Sequence, residues 1–206
     1  AITDPSELEK RAELCKKAQD GVLRHAVHQA DRSVAGLRIP EGQVLNRGAN
    51  ILIQGSNGAS GTKGTLNIYS GNIVGGQTTN SSTGQAGNIH VYNGTLNVYG
   101  GTITGGKALG QGGNILVAAD QTLNIYGGTF NDGTASAGNG IYVVSGAKVT
   151  LDGNASIESI YLSGASLIIK KMDTAKTINL ESSKTGVFAQ NVPADYSGCF
   201  KVSGKS

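Results

Sequence analysis

From about residue 43 onward the chain alternates apolar and polar residues with period two, the spacing of extended strands. In TLNVYGG (95–101), Leu96 and Val98 alternate with Asn97 and Tyr99, so the apolar pair faces one side and the Asn/Tyr pair the other. Near copies stand upstream as TLNIYSG (65–71) and downstream as TLNIYGG (122–128), with a faded one at KVTLDGN (148–154). A second block recurs as GNIHVY (87–92), GNILVA (113–118) and GNGIYV (138–143), with ANILIQ (49–54) as its first member. There the same rule points Ile89 and Val91 inward, and His90 and Tyr92 outward. Glycine pairs between the strands supply positive-φ corners at which the chain turns within one or two residues.

The repeat length sets the architecture. Leu96 to Leu123 is 27 residues and Leu123 to Val149 is 26, while Leu66 to Leu96 is 30, with QTTNSSTGQA (77–86) as the natural insertion. One repeat is one coil of two or three short strands, and equivalent strands of stacked coils pair in parallel at ~4.8 Å. Leu66, Leu96, Leu123 and Val149 are expected to form one internal ladder, and Ile68, Val98, Ile125 and Leu151 another. The narrow cross-section suits Leu, Ile and Val and leaves little room for large aromatics. The expected fold class is all-β, a parallel β-helix of ~26-residue coils.

Before residue 36 the pattern differs. Asp4 reads as an N-cap, Pro5 as the first helical residue and Glu7 as the third position after the cap. Leu8, Ala12, Cys15, Ala18, Val22, Ala26 and Ala30 recur at three- and four-residue steps, which predicts an amphipathic helix over 4–33 that ends before Gly36 and Pro40. Residues 1–36 are therefore expected to be a helical cap on the solenoid, and 37–206 the β-helix. After 165 the repeat fades. SLIIKK and KTINLESS read as short closing coils, and VPADYSGCFKVSGKS as a C-terminal edge or cap.

Composition narrows the functional classes. With 15% charged residues, 32 glycines in 206 residues and no tryptophan, the chain is neither a charged disordered tail nor an ordinary helical enzyme. The net charge of +3 is scattered rather than gathered into a stripe with aromatics, which argues against nucleic-acid binding. Cys15 and Cys199 sit near opposite ends and match no metal or redox spacing. A disulfide between them requires the termini to meet; two separate thiols are the alternative. No apolar run approaches the ~18 residues of a membrane span, and no signal-peptide pattern opens the chain. It reads as soluble, or as a processed piece of something longer, and as a monomer or part of a larger chain.

The alternation of GGTITGG and GNGIYV blocks resembles the glycine-rich right-handed parallel β-helix repeats of bacterial cell-surface and secreted proteins, in the pectin-lyase-like fold group. The resemblance covers residues 43–165. It implies right-handed winding and an exported protein. That group holds polysaccharide lyases and hydrolases as well as non-catalytic adhesins, so the site must choose between them.

Candidate chemistry is sparse. Residues 49–119 contain no Asp or Glu. Asp132 and Glu158 occupy similar places in successive coils, and stacking would bring them toward the ~5 Å carboxyl separation of a retaining glycosidase. Both lie beside turn glycines, where solvated acids are common. The repeats lack the aspartate of calcium-binding GGxGxDx solenoids, and His25 with His28 lacks a third ligand, so neither metal nor cofactor is expected. The pair Thr102/Thr104 is matched by Asn72/Val74 and Thr129/Asn131, which breaks an ice-binding ladder.

Two outward stripes remain: Asn67, Asn97 and Asn124, and Tyr69, Tyr99 and Tyr126. Stacked amides and rings stabilise a solenoid by themselves. Exposed tyrosines flanked by amides also suit a face that stacks on sugar rings and hydrogen-bonds their hydroxyls. A third stripe, Leu52, His90, Leu116 and Tyr142, is apolar for a solvent face and calls for a cover, either the N-terminal helix or a partner. The expected function is a non-catalytic, secreted or cell-surface binding or adhesion module for a glycan or a host or cell-surface protein. A polysaccharide lyase or glycoside hydrolase using Asp132 and Glu158, and a structural spacer, are the competing readings.

Overall fold

The computed structural model describes residues 25–26, 31–34, 37–39, 42–44, 46–54, 62–80, 84–183, 189–190 and 194–204. Their strands lie in four parallel sheets of eight, seven, five and three strands; the first three circuits of the chain add one strand to each sheet in turn and the later ones to fewer sheets, the arrangement of a parallel β-helix. The first sheet runs His25–Ala26, Ile51–Ile53, Ile89–Val91, Ile115–Val117, Ile141–Val144, Ser159–Ser163, Ile178–Ser182 and Phe200–Gly204. The second runs Asp31–Val34, Gly64–Ile68, Gly94–Val98, Thr122–Ile125, Lys148–Asp152, Ser166–Lys171 and Ala189–Gln190. The third holds Leu37–Ile39, Gly71–Val74, Thr102–Thr104, Thr129–Asn131 and Ser156–Ile157; the fourth, Gln43–Val44, Gln77–Thr78 and Lys107–Ala108.

Both expected ladders are present. Leu66, Leu96, Leu123 and Val149 stand in register, as do Ile68, Val98, Ile125 and Leu151, and all eight are buried. Leu167 and Ile169 extend the two rows into the closing coils. The first sheet contributes Ile51, Ile89, Ile115, Ile141, Ile160 and Leu180, and the third contributes Ile73, Ile103, Phe130 and Ile157. Phe130 is the sole large ring of that third-sheet row, which fits the narrow interior.

The helix expected over 4–33 does not persist through its C-terminal part. His25–Ala26 pairs with Ile51 and Leu52, and Asp31–Val34 with Thr65–Ile68, both in parallel. Alanine at helical spacing carries little burial preference, whereas a strand laid on the next coil satisfies its backbone donors and acceptors at once. Gln43 lies opposite Gln77, a match of EGQ with GGQ that marks this stretch as a degenerate coil. Residues 1–24, including the cap box and Cys15, lie outside the described residues.

The coils shorten toward the C-terminus. Thr122 pairs with Lys148, 26 residues on, but Lys148 pairs with Ser166, only 18 on. That coil keeps a third-sheet strand, Ser156–Ile157, but has no fourth-sheet strand, and the coils after it contribute described strands to the first two sheets alone. A short 3₁₀ helix, Ala194–Cys199, precedes the last strand.

A polar ladder runs inside one corner. Asn50, Asn88 and Asn114 are fully buried. Asn88 Oδ1 accepts from Gly76 N at 2.9 Å and from Asn50 Nδ2 at 2.7 Å, and its Nδ2 donates to Thr104 O at 2.9 Å and Asn114 Oδ1 at 2.8 Å. Each amide thus ties a first-sheet corner to the end of a third-sheet strand and to the coils above and below. Glycine is required around it because backbones touch: a Cβ on Gly113 would collide with the main chain of Asn139 and Thr134. Asn88→Ala strands four partners in a dry corner and is expected to cost about 3 kcal/mol, a melting-temperature fall of roughly 6–12 °C by calorimetry. A variant that melted with its parent would show that the ladder contributes nothing net.

Candidate functional site

The outer face of the second sheet is built from three in-register rows. Thr65, Thr95 and Thr122 form one, unnoticed in the sequence because threonine is common there. Asn67, Asn97 and Asn124 form the next, joined by Asn97 Nδ2 to Asn67 Oδ1 at 2.7 Å and Asn124 Nδ2 to Asn97 Oδ1 at 2.8 Å. Tyr69, Tyr99 and Tyr126 follow the strand ends as a stack with ring centroids 4.7 Å apart at both steps and interplanar angles of 14° and 6°. Tyr69 and Tyr99 are 47% and 41% exposed. Past Leu151 the register shifts and Asp152 pairs with Lys170 at 3.7 Å, so no fourth ring continues the row.

This geometry changes what the tyrosines offer. Tyr99 has a ring against each face, so a sugar cannot lie flat on it; the ladder presents ring edges and its end faces instead.

In the third stripe His90, Leu116 and Tyr142 are buried and Leu52 is half-buried. Arg47, Gln85, Gln111 and Ala137 bridge one another in parallel and form a thin ladder folded over the outer side of the first sheet. The fold-back uses positive φ at Gly48, Ala86, Gly112 and Gly138, at equivalent points of four coils. Beneath it, Ala86, Leu116 and Tyr142 make a second small core, bordered by Ala118, Ala137, Val144 and Tyr161. The cover is thus the repeat's own corner segment, and neither a helix nor a partner is needed to bury Leu116 and Tyr142. Gln111 Nε2 donates to the Tyr142 hydroxyl at 3.0 Å.

His90 occupies the same stripe and is 1% exposed, with no hydrogen-bond partner among the described residues on either ring nitrogen. Its ring meets the edge of Tyr92 at 5.6 Å, and the Arg47 guanidinium sits 4.6 Å from the Tyr92 centroid. Burial first, and the Arg47 charge second, lower its pKa from 6.5 to about 3.

Asp132 and Glu158 do meet in neighbouring coils. Asp132 N, at φ 53°, donates to Glu158 Oε2 at 2.7 Å, and Thr104 Oγ1 donates to Asp132 Oδ2 at 3.2 Å. Both acids are exposed, and the carboxylates bind a turn amide and a hydroxyl of adjacent coils. Glu158 also borders a cleft of about 250 Å³ with Glu181, Asn179 and Lys201, which Asp132 does not reach. Glu181 was not legible as a site residue because the repeat fades before it.

Cys199 is a free, buried thiol, its Sγ 4.0 Å from Thr174 O, at the C-terminal end of the core; its proposed disulfide partner Cys15 lies outside the described residues. Among the described residues no three His, Cys, Asp or Glu side chains gather as a metal site, and no helix is long and apolar enough to cross a membrane.

The fold and its surfaces define a strand-rich parallel β-solenoid whose coils are joined by internal and external side-chain ladders. No family model, curated protein or solved structure matches the chain.

Proposed function

We propose that the chain is a non-catalytic binding or adhesion module of an exported, cell-surface protein, wound as a right-handed β-helix of the pectin-lyase-like kind, with the outer face of the second sheet as its glycan-contacting surface. Right-handed winding is the rule for parallel crossovers. The observation that carries the proposal is the tyrosine row, exposed at Tyr69 and Tyr99 and half-buried at Tyr126, beside in-register rows of Thr and Asn. Such a face combines amphipathic ring edges with amides and hydroxyls, the chemistry that matches a sugar chain. Catalysis is disfavoured because Glu158 and Asp132 serve as turn partners.

Tyr99→Ala separates contact from ladder. Losing two stacked pairs is expected to cost about 1–3 kcal/mol, a melting-temperature drop of roughly 2–12 °C. If the row contacts ligand, binding to glycan-array hits also weakens at least about tenfold, the equivalent of ~1.4 kcal/mol. A variant that melts lower yet binds as its parent does makes the row structural. A parent that binds no array member leaves the spacer as the function.

A further inference from the structure

We infer that the cleft at the C-terminal end of the first sheet's outer face is a separate binding site for a single neutral or amine-bearing sugar ring. The ladder that covers this face runs from Arg47 through Gln85 and Gln111 to Ala137 and goes no further among the described residues. The reason is coil length: Ile115 to Ile141 takes 26 residues, but Ile141 to Ile160 takes only 19, too few to fold a corner segment back over the sheet. The strands Ser159–Ser163, Ile178–Ser182 and Phe200–Gly204 therefore lie beyond that cover, and Asn139, just past Ala137, makes a step beside them.

Two outward rows meet at the step. Ser159, Asn179 and Lys201 are in register, and so are Tyr161, Glu181 and Ser203. The cleft is lined by two hydroxyls, two amides, two carboxylates and an ammonium, from Ser159, Ser203, Asn139, Asn179, Glu158, Glu181 and Lys201; Ser159 Oγ, Asn139 Oδ1 and Glu158 Oε2 each accept one backbone N–H, so Glu181, Asn179 and Lys201 are the groups on which ligand contact rests. These are groups that grip sugar hydroxyls by paired hydrogen bonds. Tyr161 stands one strand behind the cleft rather than in its lining: it stacks on Tyr142 at 4.9 Å and 8° on one side and is in register with Glu181 on the other.

Size and charge select the ligand. A volume of about 250 Å³ falls below the roughly 300–1,000 Å³ of drug-sized sites, which limits occupancy to about one ring. Two carboxylates against one ammonium favour a neutral or amine-bearing sugar over a uronic acid. This site shares no residue with the tyrosine row of the second sheet, so either can fail alone.

The test titrates glucosamine, glucose and glucuronate into the parent protein by NMR chemical-shift perturbation. Saturable millimolar binding of glucosamine and glucose, weaker or absent for glucuronate, is expected. Glu181→Gln and Asn179→Ala should each weaken glucosamine binding at least about fivefold, Glu181→Gln without a change in melting temperature, while Tyr99→Ala leaves it unchanged. No saturable binding of any of the three sugars overturns the assignment, as does binding that survives both cleft variants. Glucuronate binding tighter than glucosamine overturns the charge argument. Reducing ends released from polysaccharide by the parent and lost in Glu158→Gln would make the cleft catalytic and overturn a binding site.

Discussion

Ile125→Asp leaves no folded array. Ile125 is 1% exposed and stands between Val98 and Leu151 in a ladder whose neighbours are all aliphatic. Its register neighbours Val98 and Leu151 offer neither cation nor hydrogen-bond donor side chain, so the new carboxyl must be buried unpaired or drag two coils apart. Either route costs on the order of several kcal/mol, against a whole stability margin of roughly 5–15 kcal/mol. In a solenoid each coil is held by its neighbours, so damage at the centre removes the interface on both sides. Circular dichroism is expected to show loss of the β signal and of the cooperative melt. Thr122→Asp, on the outer face of the same strand, is the control and is expected to fold. If Ile125→Asp melted like its parent, the assignment of inner and outer rows would be wrong.

His90→Leu is expected to make the protein resistant to acid. The folded-state pKa lies near 3, below the 6.5 of the unfolded chain, so between these values the unfolded state binds more protons than the folded one. The stability associated with neutral His90 is therefore complete above pH 6.5, falls as pH drops below it, and is gone below about pH 3. At about 1.4 kcal/mol per pH unit the full loss is about 5 kcal/mol, comparable with the margin itself. Leucine fits because the register neighbours of His90 are Leu52 and Leu116, and it removes two buried ring nitrogens that lack partners among the described residues. Urea melts from pH 7 to pH 4 should show the variant's advantage growing steadily as pH falls. Parallel stability curves for the two proteins would show that His90 does not set the acid limit.

The ladder Leu66–Leu96–Leu123–Val149 and its partner could be read in advance because two local facts suffice: alternation tells inside from outside, and a fixed repeat tells which residues stack. The Asn and Tyr rows follow from the same register, since whatever repeats outside must also stack. The meeting of Asp132 with Glu158 was legible for that reason too, but the hydrogen bond that occupies Glu158 was not, because it depends on a backbone amide presented at positive φ.

Tertiary structure decided the rest. Alternation says that Leu116 and Tyr142 point away from the main core, but not that a corner segment folds back to bury them; that needs the positive-φ turns of four stacked coils to coincide. Asn88 resembles any polar turn residue until coils above and below supply its four partners. Residues 25–34 carry alanines that suit a helix, and only the edge of the next coil, with its backbone groups to pair, makes strands of His25–Ala26 and Asp31–Val34. The cleft beside Glu181 exists because the late coils are too short to cover the sheet, a property of where the chain runs out of residues per turn rather than of any residue in it. Periodicity in this sequence thus determined faces and register, which are local along the chain, whereas covering, polar satisfaction and concavity arise between coils and were settled only by stacking.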